Sequence, residues 1–211
     1  MACKHKFYDY LHFNGLDFEP ETLVIGTFNP EWPEGNQAEW FYGRTKRNYF
    51  WDVLPRMFNE PSLRQAGPKE WKNFCQQKKV VITDLIASIN DAEEKNPVHF
   101  EVISKFKDLE FAKTFDEFKK TGVLDLLLNY TNIKAVYYTR QPGVELFDAE
   151  INKVMEHCKQ NGIYFSHLLT PSASARYQMG GWKPKDPNLK RSLANFIYER
   201  WWENWGQNIN H

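Results

Sequence analysis

The chain predicts an α/β fold, a three-layer α/β/α arrangement around a central, mostly parallel four-stranded sheet. Two observations lead there. Four short apolar runs rich in β-branched residues, TLVIGTF, KVVITDL, IKAVYYT and IYFSHLL, punctuate the sequence. Between them lie longer stretches whose apolar residues recur at helical spacing, and that alternation builds a parallel sheet covered by helices. At 211 residues the chain suffices for one well-buried domain, and residues 1–211 are read as one.

The elements follow in order. Leu23, Val24 and Ile25 read as a short, fully buried strand. Gly26 then allows a close approach of another group, and Pro30 forces Asn29 out of the helical region, so an amide is held on a stiff strand-end turn. NYFWDVLPRMF places Phe50, Val53, Leu54 and Met57 on one helical face, with Pro55 predicting an early break or kink. After the second strand, FDEFKKTGVLDLLLNY has helical spacing. FDAEINKVMEHCKQNG repeats apolar residues at Ile151, Val154, Met155 and Cys158, with Gly162 as a C-cap. The tail NLKRSLANFIYERWWENW is a last helix burying Leu193, Phe196, Ile197 and Trp201, and its aromatic end is assigned to the core.

Bulk composition excludes more than it selects. Lys plus Arg (27) equals Asp plus Glu (27), so any basic surface must be local. Cys3, Cys75 and Cys158 are scattered, without CxxC or His–Cys clustering, so no disulfide framework, zinc site or iron–sulfur site is predicted. The opening MACKHKFYDYLHF lacks the apolar stretch of a signal peptide, and no later run approaches a membrane span. The expectation is a soluble, cytoplasmic, monomeric protein with no membrane partner.

In open α/β sheets ligands bind at the carboxyl ends of the strands, so the loops after strands carry most weight. Asn29 ends the first strand. The segment EWFYGRTKRNYFW, residues 39–51, interleaves aromatics with Arg44, Lys46 and Arg47, which suits phosphate contact combined with base stacking. The third, LLTPSASARYQMGGWKPKDPNLKR, begins with a rigid, narrow Thr-Pro-Ser turn. Arg176, Lys183, Lys185, Lys190 and Arg191 give it a second basic neighbourhood. Each segment has an ordinary reading too: a turn-capping Asn, core aromatics, a solvated charged rim.

Taken in order, FNP, then FYG and RNYFW, then TPSASAR resemble the motifs of the uracil-DNA glycosylase superfamily over about residues 22–200. The likeness is greatest to its mismatch-specific uracil and hypoxanthine-DNA glycosylase branches. The resemblance implies a uracil-DNA glycosylase-like fold and a DNA partner carrying a damaged base. It assigns a water-holding role to Asn29 by one branch and a catalytic amide to Asn48 by the other. It places Tyr42, with Phe41 as the alternative, against a flipped base, beside Phe28 and Thr170. Arg44, Lys46, Arg47, Ser172, Ser174 and Arg176 become DNA contacts. The chain departs from the family where Thr170 replaces a His or Asn and where Ser174 stands at the wedge position, with Arg176 able to fill the gap instead.

Breaking the base–deoxyribose bond proceeds through an oxocarbenium-like transition state while negative charge grows on the base. Catalysis needs a placed water, a stabilised sugar and hydrogen bonds to the departing base. An amide takes up no proton near neutral pH, so Asn29 or Asn48 would position water and not act as a strong base. No well-placed lysine nucleophile is evident near these loops, so no Schiff-base lyase step is predicted, and no cofactor or metal is called for. His167 reads as a satisfied sheet histidine and Asp84 as a loop capper, with a catalytic acid as its other reading. Two further classes stay open: a binding module that has lost cleavage, and a small-molecule enzyme on the same fold.

Overall fold

The structure is a computed structural model, and it describes residues 2–32 and 38–206. Its strands are β1 (Cys3–Lys4), β2 (Thr22–Gly26), β3 (Val80–Asp84), β4 (Ile86–Ile89), β5 (Phe118–Lys120), β6 (Ala135–Tyr138) and β7 (Tyr164–His167). Its α-helices are α1 (Phe50–Met57), α2 (Pro68–Gln77), α3 (Pro97–Ser104), α4 (Asp108–Thr114), α5 (Val123–Asn129), α6 (Glu145–Gln160), α7 (Arg176–Met179) and α8 (Leu193–Asn204).

The four apolar runs form a four-stranded sheet in the order β3-β2-β6-β7, every pair parallel. Successive side chains leave a strand on opposite faces. Leu23 and Ile25 accordingly enter one core with Ile103 of α3, Phe111 of α4, Leu126 of α5 and Ile151 of α6. Val24 enters the other, with Trp51 of α1, Trp71 of α2 and Ile197 of α8. These are the helix–sheet–helix layers that the alternating pattern predicts. Strand β2 is followed by its neighbour on one side and β6 lies on the other, so the order of strands reverses between β2 and β6. The carboxyl ends around that reversal are where a ligand crevice forms in such sheets.

A second sheet was not legible in the sequence. It is antiparallel, three-stranded, in the order β1-β4-β5. Leu85 alone separates β3 from β4, and its N–H still bonds the Gly26 carbonyl at 3.1 Å. The chain thus runs straight past the carboxyl edge of the parallel sheet and picks up new partners there. The N-terminal segment is one of them: His5 N–H bonds the Ala87 carbonyl (2.8 Å), and Lys6 N–H bonds the Asn29 carbonyl (2.8 Å).

Three local expectations need correction. The helix read through FDEFKKTGVLDLLLNY is a strand followed by a shorter helix, because β4 offers 118–120 a pairing edge and Gly122 turns in the left-handed region (φ 75°). Pro55 does not stop α1 early, since the helix runs on to Met57. The Trp51 carbonyl, which proline cannot serve, accepts instead from Leu63 N–H at 2.8 Å. Met155 is 41% exposed, because the buried stripe of α6 runs through Phe147, Ile151, Val154 and Cys158. The remaining readings of that region hold: Gly162 has φ 68° just past α6, and Ile163 N–H closes onto the Cys158 carbonyl at 2.9 Å.

The tail helix buries Leu193, Phe196, Ile197 and Trp201 as expected, and Trp205 stacks on Tyr137 with ring centroids 3.9 Å apart. Trp202 faces outward, 40% exposed. All three cysteines are free and buried, and burial pushes each thiol up to about 12.

Candidate active site

Gly26, the last residue of β2, has two polar groups crowded against it where a side chain would stand. A Cβ there would lie 2.1 Å from Asp84 Oδ1 and 2.6 Å from the Tyr42 hydroxyl. The close approach predicted from the Gly in VIGTF is therefore real, and its occupants are a carboxylate from β3 and a phenol from the FYG turn.

Tyr42 reaches this place through an unusual backbone. Its φ is 58°, which costs a non-glycine residue free energy and persists only where the surroundings enforce it. They do so here. The Tyr42 ring stacks on Phe50 at 3.9 Å and 7°, Gly43 N–H closes the turn onto the Trp40 carbonyl, and Trp51 Nε1–H holds the Phe41 carbonyl at 2.8 Å. Thr139 Oγ1 donates to the Ile25 carbonyl (3.1 Å), so the 2.7 Å bond between Tyr42 and Thr139 runs from the phenol to the threonine. Burial, then the nearby Asp84 charge, raises the Tyr42 pKa well above its ordinary value, and the group stays a phenol.

Asp84 is not a loop capper. Its Oδ2 accepts from His5 Nε2 at 2.8 Å, and His5 Nδ1 accepts from Phe7 N–H at 2.9 Å. With Nδ1 an acceptor, the ring proton sits on Nε2 and points at the carboxylate. Both residues are buried, at 2% and 5% exposed.

Asn29 is buried as well, and its Oδ1 accepts from Arg44 Nη2 at 2.8 Å. The Arg44 guanidinium lies 3.7 Å from the Phe106 ring centroid. Burial lowers Arg44 to about 10, opposed by Asp84, so it stays charged at neutral pH. Phe28 packs edge-on to His5 and Phe111 and is 6% exposed. Farther along the same edge, Arg140 Nη1 donates to Asp108 Oδ2 at 2.6 Å, and Thr27 Oγ1 lies 3.4 Å from the same oxygen. Burial pushes Asp108 up to about 6, with Arg140 pulling the other way.

The second and third loops meet directly. Tyr49 N–H donates to the Pro171 carbonyl (2.7 Å) and Ala173 N–H to the Arg47 carbonyl (2.9 Å), which sets Asn48 opposite Ser172. Asn48 Oδ1 accepts from Phe50 N–H at 2.8 Å and so helps start α1. Thr170 Oγ1 donates to Ser172 Oγ (3.2 Å), which lies 2.6 Å from Ser174 Oγ. Arg64 fixes the basic turn from behind, giving both Nε and Nη2 to the Thr45 carbonyl.

Of the residues singled out from sequence, Asn29, Arg44, Tyr42 and Phe28 gather at the ends of β2, β3 and β6. Asn48, Arg47, Thr170, Ser172 and Ser174 gather on the paired loops, and Phe50 links the groups by stacking on Tyr42 and bonding Asn48. Phe41 belongs to the core: at 1% exposed, among Phe7, Trp40 and His5, it has no face to offer a base. Lys46, Arg47, Ser174 and Arg176 are exposed. His167 is the satisfied sheet histidine expected, with Nδ1 on the Arg140 carbonyl at 3.0 Å. His5 escaped sequence reasoning, because nothing local marks a partner 79 residues away. Asp84 carried a usable signal, a carboxylate closing a buried strand. An open depression of about 580 Å³ lies elsewhere, among His12, Asn14, Thr121, Asp125 and Asn129, and contains none of these residues. Among the described residues no group of three His, Cys, Asp or Glu could hold a metal ion, and no helix is long and apolar enough to cross a membrane.

Fold and site together define an α/β protein with a parallel four-stranded sheet and a buried, hydrogen-bonded polar cluster at its carboxyl edge. No protein-family model matches the chain, and no curated protein matches it in sequence. Among solved structures, the chain is similar to the solution structure of a "putative Uracil DNA glycosylase" from Methanosarcina acetivorans. The TM-score is 0.50 at 12% identity, covering 77% of this chain and 83% of that one. At that identity the likeness is one of fold.

Proposed function

We propose that this protein is a monofunctional DNA glycosylase that hydrolyses the N-glycosidic bond of a flipped, deaminated base, uracil or hypoxanthine. The observation that carries the reading is the pairing of residues 47–49 with 171–173. Two loops that resemble glycosylase motifs, 120 or so positions apart in sequence, are one surface at the carboxyl edge where Asn29 and Tyr42 also lie. The fold shared with the Methanosarcina acetivorans protein supports the same reading.

In this scheme the target base leaves the stack and docks at the carboxyl edge beside Tyr42 and Phe28. Asn29, oriented by Arg44, or Asn48, fixed by Phe50 N–H, holds the attacking water through its amide. Each Oδ1 accepts a hydrogen bond that fixes the orientation of its amide. The Thr170–Ser172–Ser174 hydroxyls and the basic residues Lys46, Arg47 and Arg176 hold the phosphates.

The test is base release. Labelled single- and double-stranded oligonucleotides carrying one uracil or hypoxanthine are incubated with the protein, and abasic sites are opened with alkali. Strand breaks that fall about 100-fold or more in Asn29→Ala or in Asn48→Ala identify the working amide. Intact strands with salt-dependent DNA binding select a second reading, a binding-only protein. One observation favours it: Thr170 stands where the family has a stronger donor, and its hydroxyl proton goes to Ser172. Intact strands without DNA binding sink both.

A further inference from the structure

Tyr177 is 93% exposed, on the single turn of α7, directly after Ala175–Arg176, where Ala175 is fully buried. Isolated exposed apolar residues are ordinary on any surface. This one differs in what holds it and what surrounds it.

The segment carrying it is fixed at both ends. Upstream it is paired to residues 47–49, as above. Downstream, Trp182 N–H bonds the Met179 carbonyl (2.8 Å), and Arg191 donates to the Gly180 and Trp182 carbonyls at 2.7 and 3.0 Å. Glu199 of α8 then pins the loop twice, through Trp182 Nε1 at 3.0 Å and Lys185 N–H at 2.8 Å. A ring carried on a fixed turn leaves only its own two χ angles to be ordered when it binds.

The surroundings are basic on a chain with no net charge. Residues 176–191 hold five Lys and Arg against one acid, Asp186, and residues 44–47 hold three with none. Elsewhere several lysines are spent in ion pairs, as at Lys78, Lys79, Lys120 and Lys134. Among the described ion pairs none includes Lys46, Arg47, Arg176, Lys183 or Lys190. Cations outside any ion pair in the same segment as an exposed aromatic ring match a polyanion whose repeating units carry flat faces.

We infer that Tyr177 stacks on a nucleobase of bound DNA while Arg176, Lys183 and Lys190 contact the flanking phosphates. The inference rests on the DNA partner of the proposed function but not on cleavage. It is tested on the full chain with fluorescent uracil-containing oligonucleotides, measuring Kd across a salt series for wild type, Tyr177→Ala, Tyr177→Trp and Lys183→Ala/Lys190→Ala. Stacking predicts that Tyr177→Ala weakens binding about tenfold or more without changing the slope of log Kd on log salt, and that Tyr177→Trp restores it. The double lysine variant lowers that slope by about 1.4 on single strands. Equal Kd for Tyr177→Ala and wild type overturns the inference, even if wild type releases base. So does a fall in sedimenting mass on Tyr177→Ala, which would place the ring in a contact between copies. Tyr177-dependent binding by a protein that releases no base upholds it while the glycosylase reading fails.

Discussion

His5 Nε2 donates to Asp84 Oδ2 across 2.8 Å, joining the N-terminal segment to the end of β3. The pair is buried, and its geometry is complete because Phe7 N–H occupies the other ring nitrogen.

Removing one partner of a buried polar pair leaves the other without compensation. His5→Ala should therefore destabilise the protein by about 2–4 kcal/mol, read as a lower urea midpoint with unchanged slope. A midpoint equal to wild type would show that solvent replaces the imidazole without cost.

Gly26→Ala should destabilise by about 1–3 kcal/mol, since the added methyl meets Asp84 and Tyr42 inside van der Waals distance. Gly181→Ala is the control, because a Cβ there meets nothing within 4 Å. If both variants melt with wild type, the packing at Gly26 is looser than described.

Asp108 should titrate near 6 in the folded protein, against an ordinary 3.8, as seen by carboxyl carbon NMR. Its folded pKa is raised, so the folded state holds the proton more tightly than the unfolded one. Its contribution to stability is then most favourable below 3.8 and declines as pH rises through about 6. The pH–stability curve of Asp108→Asn should lack that decline.

On the proposed glycosylase reading, Arg44→Lys should slow base release about fivefold or more while leaving DNA affinity within twofold, because one hydrogen bond to Asn29 is worth about 1 kcal/mol. Lysine keeps the charge but loses the planar stack on Phe106. Equal rates for the two proteins, measured in single turnover, would remove Arg44 from the positioning of Asn29.

Much of this molecule was written locally. TLVIGTF, KVVITDL, IKAVYYT and IYFSHLL became the parallel sheet, because buried β-branched runs have few other outcomes. Gly26 and Pro30 announced a tight strand end, since glycine and proline act through their own backbone and need no partner to be read. What tertiary structure alone decided lies where a distant partner sets the outcome. Phe118–Lys120 had helical spacing and became a strand when β4 offered an edge. Pro55 was accommodated because Leu63 serves the orphaned carbonyl. Phe41 and Tyr42 are adjacent aromatics, yet one is core and the other carries its hydroxyl to Gly26 and Thr139. His5 acquired its role from a carboxylate that only the folded chain brings within reach, and a hydrogen bond between residues so far apart leaves no periodicity for the sequence to show.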